Sequence, residues 1–171
     1  MSQGEGLIQR IDHALQAPVR WFRTLSETTQ DRLAGLILFV PSATVLSIAL
    51  SLTPDPAGLG THRQLGLGGC TILTMTGVPC PMCGMTTTFT HLAHFQIIEG
   101  VINQPFGLVL FSLTVLAAVV GGLDLARPGR RWHRILSWVD RREAVVAYGL
   151  LAGMGLGWIY KVVLVMGIPP W

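Results

Sequence analysis

Charge is scarce in this chain, and lysine is almost missing. Charged residues make up 12% of the sequence and hydrophobic ones 50%, whereas globular domains carry roughly 25% charged residues. That shortage excludes an ordinary soluble domain, whose surface needs polar cover. The few charges gather in two stretches and leave long apolar runs between them, which is a membrane pattern. A phosphate-binding glycine loop, H-E-x-x-H, G-x-S-x-G and paired carboxylates are all missing. Between residues 53 and 105 the only acids are Asp55 and Glu99. Hydrolytic chemistry therefore has few candidate groups, and the reading leans away from an enzyme.

The first residues lack a basic stretch followed by a short apolar core, and the first apolar run begins only at Leu33. An uncleaved signal-anchor is expected rather than a cleaved signal peptide. Residues 5 to 26 place Leu7, Ile8, Ile11, Leu15, Val19, Phe22 and Leu25 at helical spacing, with Arg10, Arg20 and Arg23 beside that stripe. This reads as an amphipathic stretch, broken at Pro18 into two short helices, that lies in the headgroup region or packs against the cytoplasmic loop.

Three spans are expected: Leu33 to Leu52 with a kink at Pro41, Phe106 to Ala126, and about Ala144 to Met166. Eleven of the twelve basic residues are arginine. Four basic residues precede Leu33 and six lie between Arg127 and Arg142, while residues 53–105 carry only Arg63. Flanking arginines of this kind report topology rather than nucleic-acid binding, so no nucleic-acid partner is expected. The positive-inside rule puts the N-terminus and the 127–142 loop in the cytoplasm, with the C-terminus outward. The expected organisation is a cytoplasmic segment 1–32, two spans with an outward segment between them over 33–126, a basic loop 127–143, and a third span with a short tail over 144–171. Fold class is all-α integral membrane.

Gly149, Gly153 and Gly157 recur every fourth residue and form one smooth stripe on the third span. Close helix packing follows, within the chain or in a homo-oligomer. Lys161, the only internal charge of that span, is expected to snorkel outward. Trp132, Trp138, Trp158 and Trp171 read as interface anchors, with Ile135 and Val139 dipping the basic loop into the surface.

All three cysteines fall in the outward segment, which is charge-free from Gln64 to Gln96 but broken by glycine and proline. A re-entrant or half-helix hairpin fits it. Cys80-Pro81-Met82-Cys83 is a C-x2-C pair, the spacing by which two thiolates hold one metal ion or close one tight disulfide. Pro81 suits a first helical turn, and residues 86–102 read as the helix that follows. Cys83, Thr87, His91 and His94 would then share one face. Three readings stay open. One is a metal site, most simply zinc, with Cys80 and Cys83 joined by two of Cys70, His91 and His94. Another is a redox pair in which Cys80, at a helix N-terminus, has a lowered pKa, as in quinone-linked disulfide-forming membrane enzymes. The last is a staple that only holds the turn.

The stretch from Cys70 to Gly107 resembles a bacterial membrane-protein family known as domain of unknown function 2752. Its hallmark is a cysteine, then Thr-Gly-x-Pro-Cys-Pro-x-Cys-Gly-Leu-Thr-Arg, a short helix, and Asn-Pro opening the next span. Thr76 to Gly84 matches throughout, Met85 stands for leucine, and Thr86 matches. Thr87 replaces the arginine and Gln104-Pro105 replaces Asn-Pro. The resemblance implies a small inner-membrane protein with the motif between two spans, and it carries no established activity. The combined expectation is a non-enzymatic metal-binding or scaffold component in the lipid bilayer, partnering itself or other membrane proteins. A thiol-disulfide oxidoreductase or electron carrier using Cys80 and Cys83 is the alternative.

Overall fold

A computed structural model describes residues 20–22 and 24–167. Most of the expected amphipathic stretch 5–26 lies outside the described residues, as does Trp171. Among the described residues, three helices are long and apolar enough to cross a bilayer: α1 (Glu27–Ser51), α5 (Pro105–Ala126) and α7 (Glu143–Val165). Each begins or ends where local chemistry dictates. The Ser26 hydroxyl accepts the Thr29 amide at the start of α1, and Glu27 complements the helix dipole there. Pro41 lies inside α1, which continues through it. Pro105 occupies the first turn of α5, where its missing N–H has no cost.

The tightest pairing joins α1 to α5 through two glycines. A Cβ on Gly35 would sit 2.8 Å from the Gly121 carbonyl oxygen, and one on Gly121 would sit 2.7 Å from the Phe39 amide nitrogen. Small residues let the two backbones touch, which supplies the dispersion contacts that bind helices in lipid. The glycine stripe of α7 divides in two. Gly153 and Gly157 press on Phe106, with Cβ positions 2.8 and 2.9 Å from its side chain, whereas Gly149 has nothing within 4 Å.

Between α1 and α5 the chain does not make one hairpin. It folds into a 3-10 turn (Thr61–Leu65), α2 (Thr71–Thr76), α3 (Met85–Ala93) and α4 (Ile97–Asn103). These three short helices have six, nine and seven residues, and together with the 3-10 turn they form a cap over one end of the bundle. The helix expected over 86–102 breaks at Phe95, whose φ of 60° closes α3 in left-handed geometry. At the opposite end, α6 (Arg131–Asp140) carries the arginine-rich loop. The bundle thus has a cysteine end and an arginine end.

Lys161 corrects the expectation of snorkelling. It is 1% exposed and points into the cysteine end. Its Nζ donates to Asn103 Oδ1 at 2.7 Å and to the Asn103 and Gly58 carbonyls at 3.2 Å each. Three oxygens match the three donors of an ammonium group, and none of them is a carboxylate. Two tryptophans also do more than mark an interface. Trp158 Nε1 donates to the Pro79 carbonyl at 2.7 Å, and Trp132 Nε1 donates to Asp31 Oδ1 at 2.9 Å.

Candidate metal centre

The Thr-Gly-x-Pro-Cys-Pro-x-Cys-Gly motif builds a turn rather than a helix start. Residues 81–84 form turns, and α3 begins only at Met85. The Cys83 amide bonds the Cys80 carbonyl at 2.9 Å, and the Met85 amide bonds the Met82 carbonyl at 3.1 Å. Gly84 must be glycine twice over. Its φ is +85°, and a Cβ there would fall 2.9 Å from the Gly58 carbonyl oxygen and 2.9 Å from Lys161 Nζ. That kink takes Cys83 off the helix, so Cys83, Thr87, His91 and His94 do not share a face. It also removes Cys80 from any helix N-terminus.

What the turn achieves is a sulfur cluster. Cys70, ten residues before Cys80, caps α2 and brings its thiol to the pair. The three Sγ atoms all lie within 4.8 Å of one another, and all three thiols are free. Cys80 Sγ is 3.3 Å from Cys83 Sγ, and the Cys80 amide donates to Cys83 Sγ at 3.3 Å. Thiolates around a zinc ion at about 2.3 Å would stand about 3.8 Å apart, so the observed spacing needs only small adjustment. The Leu73 amide in the first turn of α2 is the main influence that lowers the Cys70 thiol to about 7, followed by its contact with Cys83. Burial pushes Cys83 up to about 12, with the neighbouring Cys80 and Cys70 thiols adding to it. The thiol with the lowered pKa is thus Cys70.

The two expected histidines are elsewhere. His91 Nδ1 bonds Gln96 Oε1 at 2.6 Å, and His94 Nε2 bonds the Leu52 carbonyl at 3.1 Å, tying the end of α3 to the end of α1. Neither belongs to the sulfur cluster. The cavity of about 320 Å³ in front of the thiols is lined instead by His62, Arg63, Thr86 and Thr87, with Leu59 and Leu73 as apolar walls. Thr87 is buried and shares a 2.8 Å hydroxyl bond with Thr61.

A second layer of polar contacts holds the turn from below. Asn103 Nδ2 donates to the Gly84 carbonyl and to Thr88 Oγ1, both at 2.9 Å, while its Oδ1 accepts from Lys161. One buried cation, one amide and one carbonyl therefore join α7, α4 and the cysteine turn. Sequence spacing does not single out Lys161 for this task. Its one available sign was that the sole lysine of the chain sits in an otherwise uncharged span.

The fold and the cluster define a class: a three-span helical membrane protein with three free thiols gathered in a capped site at one end. The family model described as "Protein of unknown function (DUF2752)" matches residues 70–118. The matched stretch opens on Cys70, includes all three cysteines and runs into α5, in agreement with the resemblance seen in the motif. No curated protein and no solved structure matches the chain.

Proposed function

We propose that Cys70, Cys80 and Cys83 bind a thiophilic metal ion, zinc in the simplest case, in a non-enzymatic component of a bacterial inner membrane. The observation that carries this reading is the convergence of three sulfurs within 4.8 Å from two separate segments, all unpaired. A staple needs two sulfurs; a third brought in by its own helix is better explained by a shared ligand. Lys161 supports it further. A divalent ion with three thiolates has a net charge of minus one, and the buried ammonium beside Gly84 offsets it in a region where a lone charge is costly. The arginine bias favours the N-terminus and the 127–142 loop in the cytoplasm, with the cysteine end outward. Exposed Phe95, Ile98, Met75 and Leu67 on the cap suit a seat at the lipid surface.

Metal analysis of the detergent-purified full chain tests this. About one zinc per chain is expected, abolished by Cys80→Ser and strongly reduced by Cys70→Ser. A second reading has its own observation, the lowered pKa of Cys70 beside a close dithiol. In it, Cys80 and Cys83 form a disulfide and pass two electrons and two protons to a quinone. Metal-free protein whose thiols are oxidised by a quinone would favour that reading and overturn the first.

A further inference from the structure

We infer that His62 completes the metal site as its fourth ligand, giving a Cys3His set. This rests on the metal reading above and adds to it the identity of the remaining donor.

Among the described residues, no fourth Cys, His, Asp or Glu ligand atom lies within 4.8 Å of all three sulfurs. A tetrahedral ion therefore has one position to fill, and that position faces the cavity. His62 lines this cavity together with all three cysteines, and no carboxylate lines it. His91 and His94 are held by Gln96 and the Leu52 carbonyl, far from the role expected of them.

The hydrogen bonding of His62 is that of a metal ligand in waiting. Its Nε2 lies 3.1 Å from the Gly68 carbonyl oxygen. A carbonyl only accepts, so Nε2 carries a proton in this contact, and Nδ1 is the ring nitrogen left to bind a metal. Metal-bound histidines are held in this way, donating the other ring N–H to a backbone carbonyl that fixes the tautomer. The connection from His62 to Cys70 also permits closure. It contains Gly66, Gly68 and Gly69, and a Cβ on Gly66 or Gly68 would meet nothing within 4 Å. Thr61 stays tied to Thr87 at 2.8 Å, so closure falls to the His62 side chain and to the open positions Gly66 and Gly68 rather than to the 3-10 turn as a body. A neutral imidazole leaves the charge of the centre at minus one, which the single Lys161 ammonium balances; a carboxylate in that place would not.

The test uses the full chain in detergent, loaded with cobalt(II) or zinc. Wild-type protein should show the intense visible bands of tetrahedral cobalt with sulfur-to-cobalt charge transfer, and added thiocyanate should leave them unchanged. His62→Ala should keep the charge-transfer band but lose at least about 10-fold in zinc affinity by chelator competition. Its visible bands should now shift with thiocyanate, because the fourth position is open. His62→Cys should restore both affinity and resistance to thiocyanate, which separates ligation from folding. If wild type binds cobalt but His62→Ala matches it in affinity and thiocyanate response, the fourth ligand is not His62. If wild type binds neither metal, the cluster reading itself fails and this inference falls with it.

Discussion

The two ends of the bundle solve the problem of buried polarity in opposite ways. At the arginine end, Asp31 and Asp124 are both buried, yet all four of their carboxylate oxygens are matched. Asp31 accepts from the Arg130 amide and Trp132 Nε1, and Asp124 accepts from Arg131 and the Trp132 amide at 2.8 and 3.0 Å. Each charge meets a donor, and the knot locks α1, α5 and α6 together. At the cysteine end, Lys161 is equally buried but meets only neutral oxygens. Nearby Gln104 is fully buried with neither side-chain atom bonded. One end is electrostatically closed and therefore structural. The other leaves the Gln104 amide without a partner and offers its buried cation only neutral oxygens, beside three thiols joined by no disulfide, which is how a binding site differs from a clasp.

The largest effect should come from breaking the closed end. Asp124→Ala leaves the Trp132 amide without its acceptor and Arg131 without its carboxylate. Because Arg131 is partly exposed and water can take over its lost contact, the expected cost is about 2–3 kcal/mol rather than the full value of a buried pair. Thermal unfolding in detergent measures it. Zinc per folded chain should be unchanged; metal lost at the cysteine end of still-folded protein would erase the distinction between the two ends.

Lys161→Met makes the converse test. Removing the cation should lower zinc affinity about 10–100-fold, the usual scale for groups that support metal ligands from behind. Chelator competition reads the affinity, and Lys161→Arg should recover part of it only if the larger guanidinium fits under Gly84. Undiminished zinc affinity in Lys161→Met would mean that the ammonium serves the fold alone, and that both ends are clasps.

Much of this contrast is legible in the sequence. Apolar runs opening at Leu33, Phe106 and about Ala144 mark α1, α5 and α7 because length and hydropathy decide spans before packing does, although α1 itself starts earlier, at Glu27, where Ser26 caps it. The C-x2-C pair marks the site for a similar local reason. His62 and Lys161 escape such reading, since tertiary folding alone brings His62 to the cavity before the thiols and Lys161 under Gly84. His91 and His94 mislead because their spacing assumes a helix that Gly84 and Phe95 interrupt, both with positive φ. Gly35 and Gly121 are likewise silent: Gly35 is the one glycine of α1, Gly121 and its neighbour Gly122 form no four-residue repeat, and the contact exists only in the α1–α5 pair.

The smallest expected effect sharpens where the cysteine end begins along α7. Gly153→Ala puts a methyl 2.8 Å from the Phe106 ring, so α7 must shift or the ring must turn. Overpacking of this kind costs about 1–2 kcal/mol. Gly149→Ala, four residues nearer the arginine end, meets nothing within 4 Å and should be neutral or gain less than about 1 kcal/mol from helix propensity. Thermal unfolding of the two variants side by side decides between internal and external use of the stripe. If Gly149→Ala proves as damaging as Gly153→Ala, the open half of α7 is packed against another helix in the membrane, and the stripe binds a second chain there. If only Gly153→Ala destabilises, α7 is fastened through its cysteine-side half, and its grip on Phe106, Pro79 and Asn103 makes it part of the site rather than a separate anchor.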